Sequence, residues 1–463
     1  MLIFARFIRI SGQKMAAEHY SFIYTAYKAY IRVMVNVLYY KDVQILGMDN
    51  VPAAGTPLLI VSDHQNSLND ALGIFLSMDD RKVHFIARAD VFDINPLFSK
   101  FLYDVVGLLP AFRIAYEGEA ALHGNDNTFK VSEQRLLDGK TVAMYPEAGH
   151  QDHHWLGRFT YGYTRLAFEA AQAGGFEKEI FILPSCNHYS KYRGLRNSML
   201  IKYGTPVSLA PYYELYKTKP RTAQRLVNAI VREQISSMML NIEDEQNYKA
   251  IDFLRDGEFG RKWASDHGFD PENLPSKLES DKALVAAIAS VKEDVQPVLD
   301  DTASLVSDME SARVVERDVA DPPSRFEIFE EGLLLFLLLP IALFCLWPSV
   351  LAWGIPKHFS RKVGDVMLEG SFVLAIDILL VIPVCALITF VTTWIFFGFV
   401  RGIAYALLLP FLCLFEWEYY KMAEKFLQKT RYRKAARKGL TGSIEKKYKS
   451  IMSRMGEALS SCG

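Results

Sequence analysis

The chain has 463 residues, half of them apolar, with 52 Lys and Arg against 53 Asp and Glu and a formal net charge of −1. That length exceeds what one compact domain usually holds, and the balanced charge argues against a dedicated nucleic-acid binder. The five cysteines, Cys186, Cys345, Cys385, Cys413 and Cys462, have no paired spacing, so neither a disulfide framework nor a zinc site is expected.

The opening MLIFARFIRI is too short, and too interrupted by Arg6 and Arg9, for a signal peptide. The first large domain is therefore expected to stay in the cytosol. Residues 20–40 are aromatic and apolar but carry Lys28 and Arg32, a pattern suited to a helix lying at a membrane interface or packed on the next domain. Residues 43–47 read as a strand and 49–55 as a turn. Apolar runs then recur at 58–61, 83–87, 105–109, 141–145, 179–183 and 199–203, with helical patterns at 69–78, 128–137 and 163–172 between some of them. Strands alternating with helices predict an α/β domain, a largely parallel sheet flanked by helices. Sites in such sheets collect at strand ends.

Composition changes after about residue 211. Residues 222–239 form an amphipathic helical pattern, and 293–323 is acidic, ends in Pro322-Pro323 and reads as a linker or lid. Two long apolar stretches follow, 332–353 and 371–400, each sufficient to cross or enter a bilayer. A shorter one, 403–415, follows Arg401 and is long enough only to dip into a membrane. Residues 421–463 carry 12 Lys and Arg against 3 Asp and Glu, a basic tail expected to stay on the cytoplasmic side against anionic lipid. The resulting division is 1–41, an interfacial helix; 42–212, the α/β domain; 213–325, a charged helical region with linker; 326–420, membrane-embedded helices; and 421–463, the tail.

The chemistry concentrates at residues 57–71, PLLIVSDHQNSLNDA. An apolar strand ends at a polar cluster holding His64, and Asp70 lies six residues on. A histidine and a carboxylate are the parts of a general base and its orienting partner. Six apart, they point away from each other on one helix, so they meet only if His64 precedes a helix capped at Asn66 or Ser67. Arg113 ends the run GLLPAFR, where a guanidinium suits a phosphate. YPEAGH at 145–150 and ILPSCNH at 182–188 follow in order.

Together these segments resemble the glycerolipid acyltransferase family. The family's blocks are a His, four residues and an Asp; an apolar run ending in Arg; Phe-Pro-Glu-Gly; and an apolar strand ending at Pro. Here they read His64 to Asp70, GLLPAF-Arg113, Tyr145-Pro146-Glu147-Ala148-Gly149 and Ile182-Leu183-Pro184. The fifth intervening residue before Asp70 resembles the glycerol-3-phosphate and dihydroxyacetone-phosphate acyltransferase branch, which also carries an apolar C-terminal part. Asp63 stands where Asn commonly precedes the His, and Ala148 where Gly is usual. The resemblance implies the acyltransferase fold and a catalytic domain facing the cytoplasm. It implies transfer of an acyl group from acyl-CoA or acyl carrier protein, as co-substrate, to glycerol 3-phosphate or a related phosphorylated acceptor. His64 would be the base and Asp70 its partner. Arg113, Glu147, Gly149, Pro146 and Arg88 would bind substrate, with no metal and no resident cofactor.

Rival readings are open at this point. The alternative acceptor is a 1-acylglycerol 3-phosphate (lysophosphatidate), and a second alternative is an inactive, membrane-tethered binding protein. His150, His153 and His154 suggest a metal-dependent hydrolase, although no strict ligand spacing accompanies them. Cys186 with His188 suggests a thiol nucleophile. Arg158 and Arg165 are further candidates for phosphate or donor contacts.

Overall fold

The computed structural model describes residues 22–89, 92, 95–111, 120–147, 153–192, 194–363 and 374–460. The chain divides into two compact units. The first comprises the described residues up to Asn36 with Asp42–Tyr189 and Ser198–Met239; the second comprises Val37–Lys41, Ser190–Asn197 and the chain from Leu240 onward. The α/β unit thus runs to Met239, past the boundary at 212 that composition suggests.

In the first unit, helix α1 (Phe22–Met34) precedes a sheet of eight strands: β1 (Tyr40–Leu46), β2 (Leu58–Ser62), β3 (Val83–Arg88), β4 (Leu109–Ala111), β5 (Thr141–Met144), β6 (Phe181–Tyr189), β7 (Asn197–Tyr203) and β8 (Val207–Ser208). Their order is β1-β7-β6-β2-β5-β3-β4, with β8 against β6. Strand β2 runs parallel to both β5 and β6, and β3 runs parallel to β4 and β5, whereas β7 and β8 are antiparallel to β6. The sheet is mixed and mostly parallel.

Why β2 sits centrally is plain from its composition. Leu58, Leu59, Ile60 and Val61 are all fully buried, as expected where helices cover both faces of a parallel sheet. Each such side chain is worth about 1.5–3 kcal/mol relative to exposure. On one face, Leu59 and Val61 join Ile182 and Val142 in a core with α5 (Gly162–Ala173), named after α2 (Leu68–Ser77), α3 (Pro96–Lys100) and α4 (Ala120–Leu137). Ala167, Ala170 and Ala171 let α5 approach closely, and Phe168 stacks on Tyr216 of α6 (Tyr213–Thr218) with centroids 4.4 Å apart. Helix α7 (Pro220–Met238) adds Ala223, Val227, Val231 and Ile235, a stripe at helical spacing that explains the extended boundary. On the other face, α2 lays Gly73 against Met199, Ile201 and Asn187.

Local expectations diverge in two places. The apolar run at 105–109 is no strand: a π-helix, Phe101–Val106, ends at Gly107 with φ +89°, and β4 starts only at Leu109. The left-handed turn, which glycine adopts without penalty, separates them. Strand β6 continues beyond Leu183 to Tyr189, because β7 pairs its second half.

The second unit, among its described residues, is helical: α8 (Tyr248–Asp256), α9 (Glu258–Asp266), α10 (Leu274–Ser290), α11 (Lys292–Ala312), α12 (Glu316–Ala320), α13 (Arg325–Val363), α14 (Ile382–Phe397), α15 (Phe399–Arg437) and α16 (Thr441–Ser460). The acidic stretch read as a linker is α11 and α12. Val295, Val298, Leu299, Leu305 and Met309 form a buried helical stripe, and the acidic side of α11 meets the basic C-terminal segment. Lys447 pairs with Asp308 at 2.8 Å and Arg454 with Asp301 at 2.6 Å. Opposite charges far apart in sequence thus neutralise each other across α11 and α16. Among the described residues two helices are long and apolar enough to cross a membrane, Arg325–Leu346 within α13 and Phe399–Arg437, which is α15; the expected span at 371–400 instead holds the shorter α14. The short apolar run at 403–415 is part of α15 and continues without a break.

Candidate active site

Parallel β2 and β5 end on the same edge of the sheet, so the residues following each are neighbours. Asp63 and His64 follow β2; Tyr145, Pro146 and Glu147 follow β5. The chain then turns into α2 through Ser67, whose φ of 48° is unusual for a residue with a side chain. Ser67 occupies the N-cap position, but its side chain makes no capping hydrogen bond, so the expected cap is absent. The turn instead closes through Asn69 N donating to Asn66 O at 2.9 Å. Across this turn the six-apart pair comes together.

His64 Nδ1 lies 2.9 Å from Asp70 Oδ2. The same oxygen accepts from Asn66 N at 2.8 Å, and Asp70 Oδ1 accepts from the Tyr189 hydroxyl at 2.6 Å. The Asp70 side chain is fully buried, whereas His64 keeps 19% of its side chain exposed. A carboxylate on Nδ1 fixes the tautomer with the proton there, leaving the basic lone pair on Nε2. The Tyr145 ring stacks on the imidazole with centroids 4.3 Å apart and an interplanar angle of 21°.

Glu147 holds the loop from the other side. Its Oε1 accepts from His64 N and its Oε2 from Gly157 N, both at 2.8 Å. Burial raises its carboxyl above the ordinary range, against the pull of those two N–H groups. In this arrangement Glu147 ties the base loop to the segment around Gly157; its oxygens are already engaged by backbone. Pro146 accepts from Thr160 N and Oγ1, each at 2.8 Å, and so anchors the same segment.

Asp63 is fully buried behind His64. Its Oδ1 accepts from Asn187 N at 2.9 Å and Ser62 Oγ at 3.1 Å, while its Oδ2 has no hydrogen-bond partner among the described residues. Burial first, then the neighbouring Asp70 charge, push its carboxyl well above the ordinary 3.8, with Glu147 adding to the shift.

Arg88 is the last residue of β3, but its side chain, like Arg113, Gly149 and His150, lies outside the described residues. His153 stacks on Trp155 with centroids 4.4 Å apart, and the buried His154 lies 6.0 Å from the buried His188. Among the described residues, no group of three or more His, Cys, Asp or Glu is placed to hold a metal ion. Cys186 is fully buried in the core under α5 and α7, on the strand face opposite the one that meets Asp70, which removes it from the base. Arg158 is exposed, and Arg165 pairs with Glu169 on α5 at 2.7 Å. Asn187 and Tyr189 escaped the sequence reading. Their only sequence signal is that they alternate with Cys186 and His188 on a strand longer than its apolar run.

The arrangement supplies a base whose Nε2 can take a proton and a buried carboxylate that stabilises the resulting imidazolium. Residues 42–187 match the family model described as Acyltransferase. A solved structure, the 1-acyl-sn-glycerophosphate (LPA) acyltransferase PlsC from Thermotoga maritima, aligns with 13% identity and a TM-score of 0.34, over 51% of this chain and 88% of that one. A search of curated proteins finds no match. The family match spans residues 42–187, the part of the chain that carries His64 and Asp70.

Proposed function

We propose that the chain is a membrane-associated O-acyltransferase that moves a fatty acyl group from a thioester, acyl-CoA or acyl carrier protein, to glycerol 3-phosphate or dihydroxyacetone phosphate. The observation carrying this reading is the His64–Asp70 pair at 2.9 Å, its carboxylate buried and held by three donors. His64 Nε2 takes the acceptor hydroxyl's proton as that oxygen attacks the thioester carbonyl. The tetrahedral intermediate collapses, the C–S bond breaks, and the imidazolium returns the proton to the departing thiolate. Asp70 stays ionised throughout and stabilises the imidazolium. Arg113 and Arg88 are the proposed ligands of the acceptor phosphate, and Gly149 and Pro146 are proposed to contact the substrate. Glu147 is assigned to holding the segment after β5 against the base loop. The two apolar helices are the proposed membrane attachment, with the acyltransferase domain on the cytoplasmic side.

The test is acyl transfer by purified protein in lipid vesicles, with glycerol 3-phosphate, dihydroxyacetone phosphate and lysophosphatidate offered separately. Turnover of either of the first two is expected, and His64→Ala should lower it by about 10²–10⁴-fold. Turnover of lysophosphatidate alone would reassign the acceptor to the sn-2 step. A His64→Ala enzyme at the wild-type rate would refute the mechanism.

A further inference from the structure

Strand β2 stops at Ser62, paired with Ser185 of β6. Beyond that pair β6 continues to Tyr189, supported by β7 with Asn187 opposite Ile201 and Tyr189 opposite Met199. Residues 187 and 189 share one face of the strand, and both reach the segment that follows β2. Asn187 donates through its backbone to Asp63 Oδ1 at 2.9 Å and through Nδ2 to Ser62 Oγ at 3.2 Å. Tyr189, only 3% exposed, sends its hydroxyl to Asp70 Oδ1 at 2.6 Å. The extension of β6 is therefore a buttress under the base loop.

Within it, Asp70 is held at three points: Oδ2 by His64 and Asn66 N, Oδ1 by Tyr189. Among the described residues Tyr189 is the sole donor to Oδ1, and the Asp70 side chain is fully buried. Without that hydroxyl, a buried carboxylate oxygen has no donor, and the carboxylate is free to rotate away from Nδ1.

We propose that Tyr189 is a positioning residue of the transfer reaction, fixing the Asp70 carboxylate so that it orients His64. The inference rests on the acyltransferase reading above and extends it to a residue outside the four family blocks. Other ionisable groups around the pair are Asp63 beside His64, Glu147 on the loop backbone and Tyr145 on the ring face.

The experiment is Tyr189→Phe in the full chain, assayed in vesicles across pH. The rate constant kcat should fall roughly tenfold to a hundredfold, the scale of a hydrogen bond to a charged group, with both KM values little changed. A carboxylate free to turn from Nδ1 holds the imidazolium less tightly, so the acid limb of the kcat profile should move to lower pH. In an Asp70→Asn background, Tyr189→Phe should cost nothing further. Incorporation of 3-fluorotyrosine at 189, which keeps the ring and the donor, should leave kcat and the acid limb near wild type. Unchanged kcat and acid limb in Tyr189→Phe, or losses that multiply in the double variant, would overturn the proposal. If His64→Ala abolishes turnover while Tyr189→Phe leaves it intact, only the role of Tyr189 fails. If His64→Ala is harmless, the acyltransferase mechanism fails with it.

Discussion

Asp63 is the residue whose chemistry departs furthest from its type. A fully buried aspartate with one oxygen unpartnered, close to Asp70 and Glu147, is costly to ionise. Its carboxyl is therefore shifted upward in the folded protein. With the folded pKa raised above the unfolded 3.8, the contribution to stability is fully present below that value and is lost as pH climbs toward the folded pKa. Asp63→Asn keeps the acceptor for Asn187 N and Ser62 Oγ while removing the ionisation. It should raise stability at pH 7.5, and the gain should vanish near pH 3. Urea denaturation at the two pH values reads this; a gain of the same size at both would show that Asp63 ionises freely in the fold. Neutralising Asp63 also leaves Asp70 as the charge aimed at the imidazole.

At the level of elements, two parallel strands end side by side and their following loops are sewn together by one side chain. Glu147, after β5, accepts a backbone N–H from the loop after β2 and another from Gly157. Glu147→Ala strands both N–H groups, and loss of a charged acceptor of this kind costs about 2–3 kcal/mol. Glu147→Gln retains one acceptor oxygen and should fall between wild type and the alanine variant. Equilibrium denaturation orders the three; an alanine variant as stable as wild type would mean the clamp contributes nothing. Activity should follow the same order, since the clamp holds His64 by its own backbone.

For the whole molecule, the second unit fixes the direction of its long helices. Lys429 of α15 pairs with Glu331 of α13 at 2.7 Å, and Tyr419, ten residues earlier, donates to Leu335 O at 3.2 Å. Moving up α13 corresponds to moving back along α15, so the two are antiparallel. If both cross a bilayer, the start of α13 and the end of α15 emerge on one side. Single cysteines at Ser324 and Lys434, in a background with the native cysteines replaced, should then react with an impermeant reagent from the same side of sealed vesicles. Labelling from opposite sides would exclude an antiparallel hairpin.

The central β2, the alternation of strand and helix, the apolar stretch at 332–353 and the ordered polar blocks were legible in the residues. Each depends on periodicity and on what a side chain does beside its near neighbours. The second membrane-length helix is instead α15, which contains the run at 403–415, whereas the stretch at 371–400 holds the shorter α14. Residues 293–323 misled as a linker because composition reports charge, whereas the partner that neutralises α11 lies about 140 residues away in α16. Residues 105–109 misled because an apolar run suits a strand or a buried helix equally, and Gly107 decided between them. The same limit applies to the site. His64 and Asp70 were visible as types at a spacing, but the kink at Ser67 that lets them meet, the clamp by Glu147 and the reach of Tyr189 from β6 are properties of strand register. The Glu147 and Tyr189 contacts are hydrogen bonds between segments more than 80 residues apart, and no local pattern encodes such pairs.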